Sequence, residues 1–228
     1  MATSTPTSLT IYTPAITNRI RYTFDLILPE HLGIKYKLTD QPEAFQSIKT
    51  PKLSYAPEPL GNELFFCSTE LLFEMGLKEQ NPSVSSYEGT KIFYRVSQDA
   101  ALPFDPFAAT FFLVSRYEEY LPHTADRFGR FPAEESFASR NNFLQEPVVN
   151  KYIEMIRKIL KKRFPKLKLK EQQFRFTPTY DIDSAYAYYK KGGIRNIGGF
   201  IFSILDGDTE SMKDRMKVLL GSKKDPFD

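Results

Sequence analysis

The chain has no tryptophan, one cysteine and two histidines among its 228 residues. With Cys67 as its only thiol it has no intramolecular disulfide framework, which fits a reducing compartment. Long hydrophobic runs are missing too. The most apolar windows, 107–114 and 197–205, are well short of the roughly 20 residues that cross a bilayer, so no membrane span is expected. Residues 1–8 are polar and lack the basic and apolar regions of a signal peptide, which makes a cytoplasmic location the expectation. The formal net charge of +3 is too small to argue for nucleic acid.

What is present is an ordinary globular mixture, 41% hydrophobic and 26% charged, with Phe and Tyr carrying the packing. Leu9-Thr10-Ile11-Tyr12 alternates as a strand. Ile16, Ile20, Phe24, Ile27 and Leu28 then recur at helical spacing up to Pro29. Residues 34–38, 52–55, 64–67 and 91–96 read as further strands, and 69–75 as a short helix closed by Gly76. Asp105-Pro106 opens a helix over 107–121 that is apolar nearly all round, hence buried. Residues 123–140 read as a long surface loop.

A second strong helix spans 147–164. Its Lys151, Arg157, Lys158, Lys161 and Lys162 are read as a solvated face rather than a nucleic-acid patch, since no stacking aromatics accompany them. Pro165 and the basic segment after it mark the main boundary. The predicted organisation is an α/β accessory domain over residues 1–170, with a mixed sheet and flanking helices, followed by a second region over 171–228.

Phe174-Arg175-Phe176-Thr177 alternates as a strand and runs into Asp181-Ile182-Asp183. Side chains repeat every two residues, so on a regular strand both carboxylates share one side and could approach one cation. The carboxyl end of a strand is also where α/β architectures hold their sites. The same pair fits an Asx-turn and helix cap before Ser184-Ala185. A second polar concentration, Arg116, Tyr117, Glu118, Glu119 and Tyr120 with Arg130, reads either as a salt-bridge cluster fixing the loop or as a surface for a barrel or a polysaccharide. Cys67 has no histidine partner, and no Walker loop, Rossmann fingerprint or Gly-x-Ser-x-Gly is present.

The run Phe176-Thr177-Pro178-Thr179-Tyr180-Asp181-Ile182-Asp183, with Arg195-Asn196-Ile197-Gly198-Gly199-Phe200 and Lys223-Lys224-Asp225-Pro226-Phe227-Asp228, resembles the middle of a bacterial polysaccharide deacetylase-family protein. Upstream, Ile11-Tyr12-Thr13-Pro14, Phe104-Asp105-Pro106-Phe107, Ser115-Arg116-Tyr117-Glu118-Glu119-Tyr120 and Phe128-Gly129-Arg130-Phe131-Pro132 resemble the amino-terminal domain that precedes the deacetylase barrel in that group. The resemblance implies a metal-dependent hydrolase of acetylated sugars built on a NodB-homology (β/α) barrel. Its first motif is Thr-Phe-Asp-Asp, in which one Asp is the base and the next binds zinc or another divalent metal with two histidines.

Carried over, Asp181 would be the catalytic base and Asp183 the metal ligand. Ile182, inserted between them, leaves the division of roles open. The two histidines, His31 and His123, lie upstream and do not match the family's His-x-x-x-His. The resemblance thus implies either the amino-terminal part of a longer enzyme or a naturally shortened relative, inactive alone and expected to hold no metal by itself. Its partners would be the remainder of the barrel and an acetylated glycan, with self-association through the unpaired strand at 174–180 as a further expectation.

Overall fold

A computed structural model describes residues 8–96, 99–171, 173–179, 181 and 185–227. The chain divides into two compact units, Met1–Gln172 and Gln173–Asp228.

The first unit carries a four-stranded parallel sheet of β1 (Ser8–Tyr12), β2 (Lys35–Thr39), β3 (Lys52–Ala56) and β4 (Leu64–Cys67), in the order β2-β1-β3-β4. β1 is internal: Leu9 lies opposite Tyr36 on one side and Ile11 opposite Leu53 on the other. The two-residue period sends Leu9 and Ile11, Leu53 and Tyr55, Leu64 and Phe66 into the large core. Tyr12 and Ala56 turn the other way and pack with Phe45 and Leu60 in a smaller cluster. Both faces of the sheet are covered, as parallel sheets require.

The first crossover is α1 (Asn18–Asp25), whose N-cap Thr17 accepts the Ile20 N–H at 3.1 Å. The helix does not stop at Pro29. It widens into a π-helical turn, Leu26–Leu32, with Pro29 inside. The wider turn accommodates a ring that would collide with the i−4 carbonyl of an α-helix. Gly33 ends it at φ +70°.

The second crossover, α2 (Pro42–Ser47), begins with Pro42 in its first turn and places Phe45 in the small cluster. The third, residues 57–63, is only seven residues long, whereas parallel connections usually need about a dozen. Glu63 fixes it by accepting from Ser54 Oγ (2.7 Å) and Leu60 N–H (2.8 Å).

A hairpin follows, β5 (Ser85–Tyr87) with β6 (Thr90–Ile92). Its turn residues Glu88 and Gly89 both have positive φ, as a type I′ turn demands. The sheet predicted as mixed is therefore two sheets, one all parallel and one antiparallel.

Asp105 caps α3 (Pro106–Val114), accepting from the N–H groups of Phe107 (3.0 Å) and Ala108 (2.9 Å) through Oδ1. Its Oδ2 accepts from Tyr55 Oη (2.8 Å), Thr69 N–H (2.8 Å) and Thr69 Oγ1 (3.0 Å). One buried carboxylate thus joins β3, the chain leaving β4 and α3. Burial dominates its acidity and raises the pKa above the ordinary carboxylate range, against the pull of these donors. Residues 69–75, predicted as a helix, form turns instead; Thr69 is engaged by Asp105.

α4 (Phe137–Arg140) and α5 (Val148–Arg163) complete the unit, with Tyr152, Ile153, Ile156 and Leu160 of α5 in the large core. Arg157 is not on a solvated face. It is 5% exposed, donates to Lys170 O (2.7 Å) and His31 O (3.4 Å), and its Nε lies 3.0 Å from the Glu154 carboxylate.

Among its described residues the second unit contains two helices, α6 (Gly193–Leu205) and α7 (Thr209–Leu219), and no strand. Residues 174–179, predicted as the first barrel strand, are irregular, and Phe174 and Phe176 are exposed. Alternation makes a strand only where a partner edge accepts its hydrogen bonds. Neither barrel closure nor an unpaired strand for self-association is present among the described residues. The helix predicted after Ser184 is a bend and turn over 185–190.

α6 packs with its apolar side outward. Arg215 of α7 donates to Asn196 O (3.2 Å), and a side chain at Gly199 would run into that guanidinium. Ile194, Ile197, Phe202 and Leu205 are 91%, 63%, 69% and 74% exposed. Asp225 closes the unit: its carboxylate accepts from Ala187, Tyr188 and Tyr189 N–H at 2.7–2.9 Å and from Phe227 N–H at 3.1 Å.

Candidate functional site

α3 ends where Arg116 adopts a left-handed conformation (φ +53°), which swings the chain into a tight 3-10 turn, Tyr117–Tyr120. This reversal separates the polar residues of the segment. Tyr117 goes inward, 2% exposed, where its hydroxyl donates to Lys78 O (3.0 Å) and accepts from Lys78 N–H (2.8 Å). Arg116 and Glu119 pair with each other on the surface. Glu118 and Tyr120 face a cleft of about 650 Å³.

The far walls of the cleft come from residues 77–82, from 121–123 and Phe131, and from Glu135, Phe137 and Arg140 at α4. Glu118 fastens one wall to another by accepting the Phe137 N–H at 2.6 Å. Burial raises its pKa above the usual range for a glutamate, with the Phe137 N–H and the Arg140 charge acting in the opposite direction. Arg140 forms no hydrogen bond or ion pair through its guanidinium among the described residues, so its donors are open to a ligand. The Tyr120 ring is 69% exposed.

His123 Nδ1 lies 2.9 Å from Leu121 O, to which it donates, and its ring meets Phe131 edge-on at 4.9 Å. Gln80 holds one wall, accepting from Tyr94 Oη at 3.0 Å and donating to Glu74 at 3.2 Å.

The cleft therefore offers ring faces beside three carboxylates (Glu79, Glu118 and Glu135), a guanidinium and amides. That set suits a polyhydroxylated ligand, whose C–H faces lie on rings while its hydroxyls bridge charged groups. Among its described lining residues there is no serine or cysteine that could act as a nucleophile. Arg130 does not line it. Arg130 closes its own loop onto Asp126, 3.0 Å away, and sits 4.7 Å over the Phe128 ring. Arg140, His123 and the 77–82 wall were not anticipated from sequence. Only the fold brings the 77–82 wall, about forty residues earlier in the chain, and Arg140 to Glu118.

In the second unit Asp181 is exposed, and Asp183 lies outside the described residues. The implied zinc ion needs about four nitrogen, sulfur or carboxylate ligands. Among the described residues no group of three or more His, Cys, Asp or Glu could hold a metal ion, and both histidines belong to the first unit. The donors described do not fit a zinc ion. Among the described residues no helix is long and apolar enough to cross a membrane.

The chain matches no curated protein and no solved structure. Residues 9–165, more than half of its length, match a family model that takes in the parallel sheet, the hairpin, the cleft and α5. On that match the chain belongs to the family of unknown function DUF7033.

Proposed function

We propose that the chain is the amino-terminal part of a metal-dependent carbohydrate deacetylase-like hydrolase, in which the first unit is a non-catalytic accessory module that holds the glycan. The observation that carries the glycan-binding role is the cleft of about 650 Å³, in which Tyr120 and Phe131 stand beside Glu118 and Arg140. The hydrolase assignment rests on the resemblance of residues 176–183 and of the segments around Gly198-Gly199 and Asp225-Pro226. Under it Asp181 is the base, Asp183 the metal ligand and the remaining ligands are histidines not found in this chain. The outward apolar side of α6 favours a polypeptide partner such as the remainder of a barrel.

Titration of the purified chain with tri-N-acetylchitotriose, followed by amide chemical shifts, tests the reading. Shifts are expected to cluster at residues 118–123 and 135–140, and Tyr120→Ala and Arg140→Ala are each expected to weaken binding about tenfold, the loss of one good stacking or charged contact. Absence of shifts in this cleft with chitotriose and with other neutral oligosaccharides would overturn the glycan-binding role. No turnover of the trisaccharide is expected from the chain with added zinc, and turnover would overturn the accessory assignment.

A further inference from the structure

A second cavity, of about 480 Å³, lies beside the start of β3 and reaches from the small cluster at Phe45 and Leu60 to Phe164, which packs on the large core. It is bounded by the end of α2 and residues 48–52, the 60–63 part of the short crossover, and Arg163-Phe164 at the end of α5. Its lining carries three cations, Lys49, Lys52 and Arg163, and one acid, Glu63, a surplus of two positive charges.

Two of the cations are held by backbone oxygens rather than by carboxylates. Lys52 Nζ donates to Phe45 O and Gln46 O, both at 2.9 Å, and lies 4.8 Å from the Phe45 ring centroid. Arg163 Nη2 donates to Asn62 O at 2.7 Å. Carbonyl acceptors fix the position of a cation without neutralising it, and of the lining only Glu63 offsets part of the Lys52 charge. One ammonium proton of Lys52 and most of the Arg163 fork remain unused. Lys49 makes no hydrogen bond or ion pair among the described residues.

Glu63 is already committed to Ser54 Oγ and Leu60 N–H. Burial pushes its pKa up, but these bonds and the Lys52 charge outweigh it, so the carboxyl stays ionised and acts as a fixed part of the wall. Phe164 is shared with a neighbouring apolar recess formed by Pro51, Pro165 and Leu167. A polar, cationic floor thus grades into an apolar lip.

We propose that this cavity binds a phosphomonoester of a small polyhydroxylated molecule, with Lys49 and Arg163 as the phosphate ligands and Lys52 as a fixed third donor. A phosphomonoester carries about −1.5 to −2 at neutral pH, which matches the surplus of two charges, and presents three acceptor oxygens to three cations. Thr50, Asn62 and Gln46 line the same space and can meet hydroxyls. The site is separate from the glycan cleft, shares no lining residue with it, and does not depend on that reading.

Isothermal and amide-shift titrations of the whole chain with glucose 6-phosphate, inorganic phosphate, glucuronate and glucose test it. Glucose 6-phosphate is expected to bind most tightly, inorganic phosphate more weakly, glucuronate at least tenfold more weakly than glucose 6-phosphate, and glucose not at all, with shifts at residues 48–52 and 60–63. Lys49→Gln and Arg163→Gln are each expected to weaken glucose 6-phosphate about tenfold.

Lys161→Gln with Lys162→Gln, which removes neighbouring charge outside the lining, is expected to change affinity less than threefold. An equal loss in that control pair would show diffuse attraction and overturn the proposal, as would equal binding of glucuronate or the absence of any phosphate shift. Unchanged amide spectra of the free variants separate loss of ligand from loss of fold.

Discussion

Asp105 concentrates five hydrogen bonds on one carboxylate with no exposure to solvent. Asp105→Ala removes a helix cap and strands the Tyr55 hydroxyl and the Thr69 N–H. It is expected to cost about 3 kcal/mol in chemical denaturation, the sum of a lost cap and a buried unsatisfied donor. Asp105→Asn, which keeps one acceptor oxygen, should cost less.

Glu118 lies at the boundary between fold and site. Its folded pKa is raised, so its ionised form is unfavourable above that pKa, and the cost is relieved as pH falls toward the unfolded value. Glu118→Gln is therefore expected to leave the melting temperature at pH 7 unchanged or higher, since the amide oxygen can still accept from Phe137 N–H. The same change should weaken glycan binding and flatten its dependence on pH on the alkaline side of the ordinary glutamate value. A fall of several degrees in melting temperature would show that the ionised form is net stabilising.

At the scale of elements, the π-helical turn and Asp225 make the sharpest expectations. Gly33 needs φ +70°, and a Cβ there would come within 2.8 Å of the Lys170 Cβ, on a strand of chain whose N–H donates to Leu32 O. Gly33→Ala is expected to destabilise by about 1–3 kcal/mol through combined strain and displacement.

Burial acts to raise the Asp225 pKa, but the backbone donors from residues 187–189 and 227 prevail and hold it well below the ordinary carboxylate range. Its stabilisation is fully present above the unfolded value near pH 4 and is lost as pH falls through the lower folded value. Hydrogen exchange at Ala187, Tyr188 and Tyr189 is expected to quicken in Asp225→Asn at neutral pH, and in the wild type only under strong acid. Equal exchange in both proteins would mean that the carboxylate does not hold the turn.

The elements legible in the sequence were those with a local cause. Alternation marked Leu9 and Ile11, and Asp105-Pro106 marked the start of α3. The π-helical turn was not legible, because Pro29 reads as a stop wherever the helix can only be α. α2 is six residues long with polar neighbours, and β5, at three residues, is too short to show alternation. The candidate site was legible only at Glu118 and Tyr120. Their exposure toward a cleft depends on the left-handed step at Arg116 and on α4 arriving from elsewhere in the chain.

For the molecule as a whole, the apolar side of α6 is an exposed hydrophobic surface, with Ile194, Ile197, Phe202 and Leu205 each more than half exposed. At high concentration the chain is expected to self-associate through it, measurable as a rise in weight-average mass by light scattering. Ile197→Lys with Ile201→Lys should abolish the rise, and persistence would place the contact elsewhere.

The position of β1 has a further consequence, for synthesis. It is made first yet lies inside the sheet, and its neighbour β3 begins about forty residues later. At about 5–20 residues per second, a ribosome takes roughly 2–8 s to produce that interval. During it Leu9 and Ile11 have one of their two flanking strands at most, so the nascent chain presents a sticky edge before it presents a fold. Slow codons placed between residues 40 and 52 would prolong that interval and lower the soluble yield, while the same codons after residue 70 would not.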